Sequence, residues 1–194
     1  AGIPIAEVQF DCDWTASTSQ AYFDFLQSFR AQWPGITLSA TIRLNQVKHR
    51  TKTGIPPVDR GALMLYNFDN PSKPTVKNSI LDVATAEQYL KNPTPYPLPL
   101  DIALPLFGWG LHFRGNDFQG FLHDWRSDYA DNSNYLTRID KNIYRVKVDT
   151  TVEETYFRPG DWIRLEDAPL DQIATTLSLA LPVLPNDTCR ILFF

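Results

Sequence analysis

Near the start of the chain, Glu7-Val8-Gln9-Phe10-Asp11-Cys12-Asp13-Trp14 puts every polar residue on one parity. Strand side chains alternate between faces. As one strand, Glu7, Gln9, Asp11 and Asp13 point one way, and Val8, Phe10, Cys12 and Trp14 the other. Two carboxylates two residues apart on one face repel, and each raises the other's proton affinity. The use that fits this arrangement is a polar pocket for catalysis or sugar binding. Glycosidic hydrolysis needs two carboxyl groups flanking the bond, one protonated and one ionised. Asp13, nearest the strand's end, is the candidate acid or nucleophile. Asp11, one layer deeper, would orient it or tune its pKa. The structural alternative is an inward ion pair between Asp11 and Arg43 that holds the interior without chemistry.

Further candidates follow from parity and position at the ends of later strands: Arg43, Asn45 or Gln46, Tyr66, Asn67 and Trp109. Arg43 could hold a carboxylate or a hydroxyl pair bidentately. Tyr66 and Asn67 could hydrogen-bond a sugar, although a strand-end tyrosine also packs with its hydroxyl at the rim. Trp109, between Gly108 and Gly110, could stack on a sugar ring if the glycines leave its face uncovered; otherwise it is a rim hydrophobe. Trp14 falls on the outward parity and is read as core. The basic run Lys48-His49-Arg50-Thr51-Lys52 is read as a solvated connection.

The elements that must position these residues alternate in type. A helix capped by Ser17 or Thr18 runs to about Gln32, with Tyr22, Phe25, Leu26, Phe29 and Trp33 on one face. Strands follow over 37–44, 62–68 and 101–107, with a helix over 80–91 before the last of these. Pro93, Pro95, Pro97 and Pro99 force an extended approach to that strand. The stretch Gly108 to Asn142 reads as a long polar loop, of the kind that lines sites. Tyr144 to Asp149 is expected to pair with Trp162 to Leu165 as a hairpin. A helix over 170–181 and a strand over 190–194 complete the series.

Composition narrows the class. The chain has 194 residues, 43% hydrophobic and 21% charged, enough to bury a core. Its 22 acidic and 18 basic residues leave a net charge of −4 without a basic stripe, which argues against a nucleic-acid partner. No apolar run reaches a membrane span. Cys12 and Cys189 stand in apolar strand-like contexts and are expected to be buried thiols. Neither they nor the scattered His49, His112 and His123 have metal-ligand spacing, so no metal and no cofactor is expected.

Strands alternating with helices read as parallel βαβ units, so the fold class is α/β. No Gly-rich phosphate turn follows the first strand, which removes the dinucleotide reading. Polar residues on one strand parity favour a barrel, but a closed (β/α)8 barrel takes about 250 residues. The expectation is a partial (β/α)8 TIM-barrel-like domain over 1–194. It would hold about five strands, an insertion over 108–169 and a small β-hairpin near 144–165. A partner chain or oligomer completing the barrel, or a longer parent protein, would supply the remaining units.

Four segments carry a likeness: Glu7-Val-Gln-Phe-Asp-Cys-Asp-Trp-Thr15, Leu38-Ser-Ala-Thr-Ile-Arg-Leu-Asn-Gln-Val47, Gly61-Ala-Leu-Met-Leu-Tyr-Asn67 and Leu100-Asp-Ile-Ala-Leu-Pro-Leu-Phe-Gly-Trp-Gly110. Together they resemble a bacterial family of unknown function that is similar to a glycoside-hydrolase TIM barrel, and they match its later half. The resemblance implies an architecture and a carbohydrate ligand, and leaves the reaction open. No second inward carboxylate facing Asp13 is evident on the later strands, since Asp101 lies near its strand's start. A non-catalytic binding or scaffold module therefore stands beside the enzyme reading.

Overall fold

The computed structural model describes residues 4–194. In chain order the elements are β1 (Glu7–Phe10), α1 (Ser19–Gln32), β2 (Thr37–Arg43), α2 (Leu44–Lys48), α3 (Arg50–Thr53), β3 (Arg60–Met64), α4 (Val83–Tyr89) and β4 (Leu100–Leu104). Then come β5 (Trp109–Arg114), β6 (Asp117–His123), α5 (Ser127–Asn132), β7 (Leu136–Asp140), β8 (Ile143–Val146), β9 (Thr150–Val152) and β10 (Thr155–Phe157). The chain continues through β11 (Trp162–Glu166), α6 (Leu170–Ala180), a 3-10 turn (Leu181–Val183) and β12 (Ile191–Phe193). The fold is α/β, and its contacts group into two units. The first takes the chain up to Tyr66, Val83–Leu104 and Ile173–Phe194; the second takes Asn67–Asp82 and Pro105–Gln172.

The first unit is a parallel sheet in the order β1-β2-β3-β4-β12. Its inner strands are apolar on both faces, as parallel strands covered on both sides must be. All five residues of β4 are buried, as are five of the seven in β2. Helix α1 crosses from β1 to β2 and packs Tyr22, Phe23, Leu26 and Phe29 against Phe10, Leu38, Ala40 and Val58. The buried helix face is broader than the expected one: Phe25 and Trp33 are about half exposed, Phe25 still meets Phe10 edge-on at 4.9 Å, and Phe23 joins the packing. At Gly61 the side chains of Ile42 and Leu100 leave no room for a Cβ, so three neighbouring strands close up there.

Charge gathers at the amino ends of these strands. Arg190, just before β12, donates to both Glu7 carboxylate oxygens at 2.7 and 2.9 Å and to Asp101 Oδ2 at 2.6 Å. Asp101 is buried and also receives Arg60 at 2.8 Å. Strands lie about 4.8 Å apart, so a flat sheet of this order would separate β1 from β12 by about 19 Å. One arginine cannot cross that gap while also holding β4. The sheet is therefore curled into a half-barrel whose edge strands meet at their amino ends. In barrels that end is the stabilising one.

The second unit is an antiparallel sheet in the order β6-β5-β11-β8-β7, with the β9–β10 hairpin as a separate pair. The expected pairing of 144–149 with 162–165 is present as β8 against β11, within a larger sheet. The stretch Gly108 to Asn142 is not a loop; it forms β5, β6, α5 and β7. Its reading as loop overlooked Gly115-Asn116, a two-residue hairpin turn with Gly115 at φ +58°. A core of Leu122, Trp125, Leu136, Tyr144, Phe157 and Ile163 fills the unit.

Two buried polar clusters fix its frame. Arg164 donates to Glu166 at 2.7 Å and to the carbonyls of Pro71 and Lys73 at 2.9 and 3.0 Å. Asp161 accepts from Arg114 at 2.9 Å and bonds His112 at 2.8 Å. Burial pushes the Asp161 carboxyl up. The hydrogen bonds from Arg114, the Arg158 N–H and His112 outweigh it and hold it below the usual range.

Candidate functional site

At the carboxyl ends of β1–β3, the first strand stops at Phe10, earlier than the alternation suggests. Asp11, Cys12 and Asp13 lie beyond it and are all exposed. Cys12 is therefore an accessible thiol and not the buried one expected, because strand parity no longer governs its direction. Trp14 is buried as expected, stacks on Tyr22 at 5.3 Å and donates its indole N–H to Thr53 O at 2.9 Å.

Beyond Phe10 the parallel register persists in the side chains. Phe10 is paired with Ala40, an offset of thirty. The same offset brings Asp11 to Thr41, whose hydroxyl donates to Oδ1 at 2.7 Å, and Asp13 to Arg43, at 2.5 Å. Arg43 thus pairs with Asp13, where the structural alternative paired it with Asp11. The pair is open to solvent, with the Arg43 and Asp13 side chains 34% and 59% exposed.

Arg43 ends β2, and α2 starts at once. Gln46, in its first turn, accepts the Arg43 N–H at 2.8 Å and donates to Trp14 O at 3.0 Å. It is buried, and it ties the end of β2 to the segment carrying Asp13. Its amide therefore holds backbone in place. Asn45, one residue earlier, is exposed at the rim.

Tyr66 lies two residues past β3 and is buried, with its ring 6.1 Å from that of Phe194. Burial pushes its hydroxyl pKa up, Asp11 adds to the rise and Arg43 opposes it. Tyr22 is also raised, by burial and then by Cys12 and Asp11. Its hydroxyl is buried without a hydrogen-bond partner among the described residues. Tyr22 and Thr41 were not among the sequence candidates. Tyr22 sits on a helix face that reads as core, and Thr41 becomes visible only once the register of β1 on β2 is known.

Asn67 and Trp109 belong to the second unit. Asn67 has φ 55°, a left-handed conformation that asparagine tolerates, and donates its N–H to Ile80 O at 2.8 Å. Trp109 opens β5, where its indole N–H donates to Glu166 at 3.0 Å and Phe121 meets its ring at 5.0 Å. The flanking glycines serve close packing. A Cβ at Gly108 would lie 2.8 Å from Glu166 O, and one at Gly110 would lie 3.2 Å from Leu122.

Among the described residues of the first unit, Asp11 and Asp13 are the acids at the carboxyl ends of the strands; Glu7, Asp59 and Asp101 stand at the amino ends. No group of three His, Cys, Asp or Glu side chains gathers to hold a metal among the described residues. No described helix is long and apolar enough to cross a membrane.

No protein-family model matches the sequence, and no curated protein does. Solved structures do. The spore cortex-lytic enzyme SleL of Bacillus cereus aligns over 97% of this chain and 44% of its own, at 18% identity and a TM-score of 0.51. YdhD of Bacillus subtilis, described as a sporulation-specific glycosylase, aligns over 90% of this chain and 61% of its own, at 11% identity and TM-score 0.49. A chitinase of Chromobacterium violaceum aligns over 84% and 54%, at 14% identity and TM-score 0.46. The latter two likenesses are too loose to bear on the fold. The chain spans less than half the length of SleL, and at this identity what the two share is the fold, a partial TIM-barrel-like half-barrel.

Proposed function

We propose that the chain recognises a carbohydrate at the carboxyl ends of β1–β3. The reading rests on the side-by-side pairs Asp13–Arg43 and Asp11–Thr41 at the end of a half-barrel where barrels place their sites. A guanidinium offers several donors in a fixed fork, and a carboxylate offers acceptors only. Standing together in solvent, Arg43 and Asp13 match the mixed donors and acceptors of neighbouring sugar hydroxyls. Asn45 adds an amide at the rim, Tyr66 forms a wall, and Gln46 holds the backbone beneath them. SleL's description as cortex-lytic makes a cortex-type glycan the first ligand to test.

Recognition without cleavage is favoured over hydrolysis by one observation. Both carboxylates lie on one three-residue segment, and each is already bonded, to Thr41 or to Arg43. A glycosidase needs carboxyl groups on opposite sides of the bond, and its proton donor needs surroundings that keep it protonated. Asp13 is exposed and is already engaged by the Arg43 guanidinium.

Soluble cortex fragments titrated calorimetrically, with release of reducing ends followed in parallel, test this. Binding is expected without new reducing ends, and Arg43→Ala should weaken it about tenfold, or about 1.4 kcal/mol. No binding, or affinity unchanged in Arg43→Ala and Asp13→Asn, would overturn the proposal. Turnover that Asp13→Asn abolishes would establish hydrolysis instead.

A further inference from the structure

The second unit carries an open groove of about 630 Å³ on α5 and the turn into β7, lined by Asp128, Tyr129, Asn132, Ser133, Asn134 and Tyr135. The groove is shallow and open to solvent, so it offers a contact face, and not an enclosing pocket, to a ligand of one or two rings. We propose that this groove is a second saccharide-contact site, for an uncharged pyranoside.

Its construction supports that ligand class. The Tyr129 and Tyr135 hydroxyls are hydrogen-bonded to each other at 2.8 Å. Burial and that bond push the Tyr135 hydroxyl up to about 12. The Tyr129 ring is 43% exposed and is braced edge-on by buried Trp125 at 5.1 Å. Trp125 in turn rests on Phe157 of the core, 5.6 Å away. A tyrosine held in this way presents apolar surface and a polar tip at little entropic cost, which suits the mixed faces of a sugar ring.

The groove's own backbone is secured without using up its side-chain acceptors. Asn132 donates to Asp128 O at 2.7 Å, and Ser133 donates to Tyr129 O at 2.8 Å. The Asn132 amide oxygen remains to accept from a ligand, while the Ser133 hydroxyl is also within hydrogen-bond reach of Tyr135. No lysine or arginine lines the groove, and its one charged residue is Asp128. An anionic ligand such as a phosphate would meet repulsion there, whereas a neutral polyol finds acceptors, amide donors and a ring.

The site needs neither Asp13 nor Arg43, so the two proposals stand or fall separately. The test uses the full chain, with amide chemical shifts followed during titration with cellotetraose and, separately, N-acetylchitotetraose. Shifts over 128–135 are expected with at least one sugar. Affinity read there should fall about tenfold in Tyr129→Ala and measurably in Tyr135→Phe, which keeps the ring, while Arg43→Ala leaves it unchanged. Silence over 128–135 with both sugars up to about 10 mM would overturn the site. So would shifts there that both tyrosine variants leave intact. Shifts confined to the ends of β1–β3 would support the first proposal and refute this one.

Discussion

Replacing Arg190 with alanine tests whether the half-barrel is held shut by charge. In the native chain Asp101 Oδ2 receives Arg190 Nη2 at 2.6 Å and Nε at 2.9 Å, while Oδ1 receives Arg60 at 2.8 Å and the Arg190 N–H at 2.9 Å. Arg190→Ala strips Oδ2 and leaves Oδ1 served. Leaving a buried charge with no partner costs about 3–5 kcal/mol, so a half-served one costs about 2 kcal/mol. The Glu7 arm is partly exposed, at 23% for Glu7 and 46% for Arg190, and adds about 0.5 kcal/mol. The sum is about 2–3 kcal/mol, which at a urea slope of about 2 kcal/mol/M lowers the midpoint by about 1–1.5 M. Far-UV circular dichroism in urea reads this directly. Arg190→Lys, a point charge that cannot fork between two acids, should fall between the two.

Acid supplies an independent arm of the same test. The hydrogen bond from Arg190 is the main cause holding Glu7 below its ordinary 4.5. A depressed carboxyl stabilises the fold above its unfolded pKa, and that stability is lost as pH falls through the lower, folded value. The gap between native and Arg190→Ala should therefore narrow below about pH 4.5. A loss under about 0.5 kcal/mol at neutral pH, or an Arg190→Lys variant equal to native, would refute the reasoning and assign the curl to apolar packing.

Three further outcomes are expected. Arg164→Ala leaves the Glu166 side chain, 0% exposed, without its cation and frees the carbonyls of Pro71 and Lys73. It should cost about 3–5 kcal/mol and open the loop's peptide bond after Lys77 to trypsin, so an unchanged digest would contradict it. His112 is buried and its pKa is held below 6.5 by that burial, against the pull of Asp161. The unfolded chain then binds the proton first, so stability should decline as pH drops below about 6.5, and His112→Gln should flatten that slope in pH-dependent melts. The open edge β12 leaves Ile191 46% and Phe193 59% exposed. Sedimentation velocity should show association that grows with concentration, and a monomer throughout would count against a strand edge seeking a partner.

What the sequence revealed was the part governed by local period. The runs that became β2, β4 and α1 carry their apolar residues at the spacing of their structures, so the βα order of the first unit was legible. The Asp11–Asp13 face was misjudged because alternation in sequence continues past the point where β1 stops hydrogen-bonding, at Phe10. The Asp13–Arg43 pair depended on the register of one strand on the next, which no local window contains. β5 was missed for a different reason. Its polar His112 and Gly110 are as buried as Leu111 and Phe113, so its polarity imitated a loop while its partners lay on β6 and β11.

The Arg190 clasp has a kinetic side. Glu7 and Arg190 lie 183 residues apart, and β12 joins the sheet only beside β4. The contacts that curl the first unit are therefore among the most distant in the chain, and loop closure makes such contacts late. Most of the second unit, by contrast, is drawn from the single stretch Pro105–Gln172 and closes through neighbouring hairpins. The inserted unit should thus gain its structure first, while β1–β4 wait as an unclosed sheet for the strand that comes last.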